Sequence, residues 1–146
     1  GASTGLPDCP QMKIVRINGS IFFGAVAHLQ EQLQQIDDRN PAHRHLLLVA
    51  SGINFVDLAG ARLLAHEARR RRSLGGDLFL YHVKDEPLEM MRRSGVFDEI
   101  GAANFFQPGD DVPRQLVPRL QRHICESCQV RIFAPCGSIP LHAQKE

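Results

Sequence analysis

The sequence predicts an α/β fold, a mostly parallel sheet of four to five strands covered by about four helices, and three observations predict it. Residues 46–50 are a continuous aliphatic run, the pattern of a strand covered on both faces inside a sheet packed by helices. Apolar residues recur at helical spacing on either side of that run: Val26, Leu29, Leu33 and Ile36 before it, Ala61, Leu64, Ala65 and Ala68 after it. A further strand pattern at 78–83 then restores the alternation of strand and helix that a parallel sheet requires.

Residues 12–17 are rich in β-branched side chains, Ile14, Val15 and Ile17, and 21–23 form a second short apolar run. Between them lies Asn18-Gly19, the pair that best tolerates the positive φ angles of a type I′ turn, so a β-hairpin is expected here. The first helix starts after Gly24 and is ended by Asn40-Pro41, because the residue before a proline is turned away from helical angles. Asp57 stands where an N-cap belongs for the second helix, which runs into Arg69, Arg70, Arg71 and Arg72 and stops at Gly75-Gly76. After the strand at 78–83, Asp85 is expected to cap a short third helix, with Pro87 in its first turn, Leu88 and Met91 facing inward and Ser94-Gly95 at its end. Residues 96–106 hold a small strand or turn. Asp110 and Asp111 open a final helix that Pro118, costing about 3 kcal/mol in a helix interior, is expected to kink or delay.

The chain has 146 residues, the size of one domain, with 43% hydrophobic and 23% charged residues, as in ordinary globular proteins. Lys and Arg number 17 against 16 Asp and Glu, so no net field draws the chain to nucleic acid, and none is expected as a partner. The longest strongly apolar stretch, 46–50, is far below the roughly 20 residues that span a bilayer, and the first residues lack a signal-peptide pattern. The chain is expected to be soluble. With Gly1 in place of Met and a small-residue run behind it, the sequence reads as a fragment: 1–11 a linker, 12–123 the domain, 124–146 a cysteine-containing extension. Four cysteines, three of them in that extension, are too few and too lopsided to staple a domain, which fits a reducing compartment.

Three stretches give the chain its family resemblance: Arg16-Ile-Asn-Gly-Ser-Ile-Phe-Phe-Gly24, Asn54-Phe-Val-Asp-Leu-Ala-Gly60 behind the aliphatic strand, and 88–100 with its Ser94-Gly95. From about Met12 to His123 the chain resembles the STAS family, the fold of anti-sigma-factor antagonists and of the C-terminal domains of SulP anion transporters. The first stretch is similar to the transporter branch, where a Gly-Ser-hydrophobic-Phe-Phe-Gly run opens the domain. The second is similar to the family's signature loop, in which antagonist proteins carry a Ser-Ser or Ser-Thr pair between Asp and Gly and have one hydroxyl phosphorylated.

Here that pair is Leu58-Ala59, neither of which can accept the roughly −2 of charge that a phosphoserine brings. The departure points away from an antagonist and leaves Asp57 and Gly60 with structural roles, as helix cap and close-packing residue. The resemblance implies a non-catalytic domain on the cytosolic side of a sulfate- or bicarbonate-class carrier at the cell membrane, with a regulatory, assembly or protein-interaction role and no cofactor. Its implied partners are the transmembrane domain of the parent transporter, a cytosolic regulatory protein and a second copy of the chain. The interaction loop is expected at Asn54, Phe55, Asp57, Leu58, Ala59, Gly60 and Arg62, with Phe55, Leu58 and Arg62 as its exposed edge if Val56 and Ala61 point inward. A free-standing regulator of the antagonist type and a nucleotide- or anion-sensing module are the alternatives.

The residues offer little other chemistry. No phosphate-binding glycine loop or dinucleotide fingerprint occurs, since Gly75-Gly76 follows a helix instead of opening one. The helix starts after Gly24 and Asp57 can present N–H groups to an anion, but Asp57 would repel it at the second. His43 and His45 can share a strand face and read as its exposed start; no Ser-His-Asp set can be assembled. Cys125-x-x-Cys128, with Cys136 and His142, is the one set of zinc-ligand type, but its second half lacks the paired spacing, so free thiols are expected, with a zinc site or a redox-active dithiol as the alternatives. The Arg69–Arg72 run is expected to complement the helix dipole, and alternatively to contact an acidic partner or lipid head groups.

Overall fold

The computed structural model describes residues 9, 11–39, 44–120, 124–125 and 128. Four strands form one sheet in the order β1 (Met12–Ile21), β2 (His45–Val56), β3 (Leu78–Tyr81) and β4 (Phe105–Phe106), and every neighbouring pair is parallel. The helices α1 (Val26–Arg39), α2 (Leu58–Ser73), α3 (Asp85–Arg93) and α4 (Val96–Ile100) lie between strands, and α5 (Val112–Leu116) follows β4. Parallel neighbours joined by right-handed crossovers in sequential order carry their helices on one face. The side chains agree: Leu46, Leu48, Leu78 and Leu80 of the sheet pack with Leu33 of α1, Leu64 of α2, Met91 of α3 and Ile100 of α4. Leu46, Leu48 and Leu80 have no exposure, and each contributes about 1.5–3 kcal/mol of burial.

Strand alternation sends Met12, Leu47, Phe79 and Phe106 to the opposite face, where they meet Leu116, Val117 and Leu120. Cys9 and Cys125, from either side of the boundaries expected at 12 and 123, are buried in the same cluster.

Several local expectations change. The hairpin at Asn18-Gly19 does not form; β1 runs straight through, pairing with β2 from Met12↔His45 to Ile21↔Val56. The register slips between Arg16 and Asn18 and again between Gly19 and Ser20, each slip giving β2 one residue more than β1. Gly19, at φ 97°, supplies the positive angle in this irregular stretch, and the Asn18 side chain lies over Gly52, where a Cβ would sit 1.9 Å from Asn18 Oδ1. The turn-prone pair thus serves a bulge, because a long parallel partner outweighs a local turn preference.

The middle strand reaches beyond 46–50 to Val56. Lys84 and not Asp85 occupies the N-cap of α3, and Asp85 and Glu86 lie in its first turn, where their charge suits the helix dipole. Residues 96–106 contain a helix as well as the two-residue β4. The last helix, capped by Asp111 through Arg114 N–H, is neither kinked nor delayed; it stops at Leu116, and Pro118 falls in a 3-10 turn. His45 is buried instead of exposed, its ring 6.0 Å from that of Phe79, because it faces the second apolar cluster. His43 lies outside the described residues.

Candidate functional site: the surface around Asp57

β1 and β2 end side by side, so the segments leaving them emerge together. Asp57, extended at φ −90°, follows β2 directly, and its N–H donates to the carbonyl of Ile21 at the end of β1. Its Oδ1 accepts the Gly60 N–H at 2.8 Å and caps α2, while Oδ2 accepts the Phe23 N–H at 3.0 Å. One carboxylate therefore ties the start of α2 to the 3-10 turn Phe23–Ala25 that leads into α1. These donors, Gly60 first and Phe23 second, hold the Asp57 carboxyl below the usual carboxylate range. Gly60 is required by closeness: a Cβ there would sit 2.3 Å from the carbonyl oxygen of Ile21.

Around this clamp the surface is apolar. Phe23 is 80% exposed, and Phe22, Phe55 and Leu58 are each more than two-fifths exposed. Val56 and Ala61 face the core while Phe55, Leu58 and Arg62 face outward, as the pattern of the loop requires. Ala59 lines a groove of about 790 Å³ between the first turns of α1 and α2, together with Phe23, Val26, Leu58 and Arg62. Asn54 accepts from Lys84 Nζ at 2.8 Å, which fixes the loop to the start of α3. The sequence reading missed Phe22 and Phe23, assigning them to a strand; the signal was there, since two adjacent phenylalanines at a strand end cannot both face one core.

The four arginines are used within the fold. Arg71 is fully buried and pairs with Glu67 at 2.9 Å and Asp37 at 2.6 Å. That corrects its expected availability to an acidic partner or to lipid, since a side chain with no exposure touches neither. Arg70 pairs with Glu67 at 2.7 Å and also with Asp37, and Arg69 pairs with Glu99. Arg72 pairs with Asp77 at 3.2 Å and donates to the carbonyls of Glu99 and Ile100.

In the C-terminal part, Cys125 Sγ accepts from Gln11 Nε2 at 3.2 Å, and Cys128 N–H donates to the Cys125 carbonyl. Cys136 and His142 lie outside the described residues. Among the described residues no three side chains of ligand type converge, and no helix is long and apolar enough to cross a membrane.

The STAS domain family model matches residues 5–111. The curated protein named "Putative sulfate transporter YvdB", from Bacillus subtilis, is 24% identical over 103 residues; the match takes in 70% of this chain and 19% of that protein, so the chain spans about a fifth of its relative's length. Among solved structures, a sulfate transporter family protein from Wolinella succinogenes superposes with a TM-score of 0.58 at 23% identity, covering 71% of this chain and 84% of that one. The anti-sigma factor antagonist SpoIIAA in its unphosphorylated form superposes with a TM-score of 0.60 at 13% identity, covering 77% of this chain and 93% of that one.

Proposed function

The chain belongs to the STAS domain family, and on that premise we propose that it is the cytosolic domain of a SulP-type anion transporter, non-catalytic, where it regulates or helps to assemble the permease through the surface around Asp57. The observation that carries the reading is the apolar exposure of Phe23, Phe55 and Leu58 around a loop that has Leu58-Ala59 in place of a phosphorylatable pair. A surface of this kind buries apolar area against another protein and needs no hydroxyl chemistry. The named similarity to a sulfate transporter supports the parent assigned here. The transmembrane portion of that parent is the first partner; a cytosolic regulator and a second copy are the others.

Occupancy of the surface biases the carrier only if the partner touches it differently in the carrier's alternating states. Leu58→Asp in the intact parent tests this. Reduced or deregulated uptake of sulfate or bicarbonate at normal expression supports the reading, and unchanged uptake with unchanged expression removes the loop from it.

The likeness to an anti-sigma factor antagonist over 93% of that chain's length favours a second reading, a free-standing regulator that lacks the phosphoryl acceptor. The gene sequence immediately upstream of Gly1 separates the two, since ten or so membrane spans there belong only to the first.

A further inference from the structure

We propose that the groove between α1 and α2 receives a short amphipathic helix of a protein partner, with an apolar face and an acidic flank. The inference rests on the reading of this surface as a partner contact, and adds what kind of segment fits it.

Phe23, Val26 and Leu58 form the apolar mouth of the groove, and Arg62, His66 and Arg69 line the rest of its α2 wall. On α2, positions 58, 62, 66 and 69 fall one turn apart and form a single exposed stripe. At 1.5 Å per residue that stripe is about 16 Å long, the length of a three-turn helix. Ala59 and Ala27 keep the floor low. Phe23, the most exposed large apolar side chain among the described residues, stands at the mouth as the anchor such interfaces use. The slot is held open by α1, α2 and the Asp57 clamp, so little ordering cost falls on this side of the contact.

Charge sets the partner's character. Among the described residues no acidic side chain lines the groove. Arg69 is already paired with Glu99, whereas exposed Arg62 makes no ion pair or side-chain hydrogen bond among the described residues. A helix with leucine-like residues at helical spacing toward Phe23, Val26 and Leu58, and carboxylates along the α2 side, satisfies both features. A lipid surface fits less well: each basic residue contributes roughly 1 kcal/mol there, and one unpaired arginine with one histidine in a concave slot gives too little to hold the domain.

The test uses the 146-residue chain and a labelled three-turn model peptide with leucines at helical spacing and glutamates beside them. Amide and side-chain NMR shifts confined to Phe23, Val26, Leu58, Arg62 and His66 are expected. The same peptide with lysines for glutamates binds at least about tenfold more weakly, and Arg62→Glu reverses that preference while leaving the melting temperature unchanged, since Arg62 has no ion-pair partner among the described residues. No shifts in the groove, equal shifts with the lysine peptide, binding to phosphatidylserine vesicles in place of peptide, or self-association through this face would each overturn the proposal. Altered transport in Leu58→Asp without peptide binding leaves the surface a partner contact and rejects only the acidic helix. Peptide binding with unaltered transport does the reverse.

Discussion

Arg71 Nη2 lies 2.6 Å from Asp37 Oδ1 while Arg71 Nε lies 2.9 Å from Glu67 Oε1, so one buried guanidinium joins the end of α1 to the last turns of α2. Taking such charges out of water costs several kcal/mol per ion, offset only while each charge keeps its partners.

Removing Arg71 is therefore expected to be far more damaging than removing its exposed neighbour. Arg71→Met leaves Glu67, 3% exposed, with less compensation and should lower the unfolding free energy by about 3 kcal/mol or more. Arg69→Ala breaks only a surface pair and should cost less than about 1 kcal/mol. Urea denaturation of the two variants measures both; equal costs would contradict the buried role of Arg71.

Gly60→Ala places a methyl group against the Ile21 carbonyl, a backbone atom that cannot swing aside. Overpacking of this kind costs about 1–3 kcal/mol. The melting temperature should fall, and the Phe23 amide should lose hydrogen-exchange protection as α2 backs away from β1. A variant as stable as the parent would mean that the strand end gives way freely.

Asp57 should make stability depend on acid. Its folded carboxyl titrates below the ordinary range, so on acidification the unfolded chain takes up the proton first. The contribution is fully present above the usual carboxylate pKa and is lost as pH falls through the lowered value. Asp57→Asn, whose single side-chain oxygen cannot serve both Gly60 and Phe23, should melt lower at neutral pH and converge with the parent in strong acid. Parallel melting curves across pH would remove the clamp.

His45 predicts a second, higher window. Burial pushes its imidazole below the ordinary value of 6.5, against a smaller upward pull from Asp77, and its Nδ1 has no hydrogen-bond partner among the described residues. The unfolded chain then binds the proton more readily, so stability should fall as pH drops below about 6.5 and level off once the folded value is passed. His45→Phe should melt with no step in this range, as followed by calorimetry between pH 7.5 and 5.

The α/β alternation and the Asp57 cap were legible because each is written locally: an aliphatic run, a helical stripe, an aspartate before an amphipathic segment. The β1 pairing was not. Asn18-Gly19 carries a strong local turn signal, and only the partner strand 33 residues on, Met12 against His45, shows that the pair belongs in a bulge. The partners of the arginine run were hidden for the same reason, since Asp37 and Glu99 are far away in sequence. The clamp was half visible: the bond to Gly60 is three residues long, but the one to Phe23 spans 34.

Because β1 is parallel to β2, a growing chain cannot complete its first ladder until Val56 has been added and α1 has folded back between the two strands. Pairings across such separations form slowly. The nascent first strand, with Met12, Val15 and Ile21 destined for burial, therefore keeps its apolar side chains unshielded until that partner arrives.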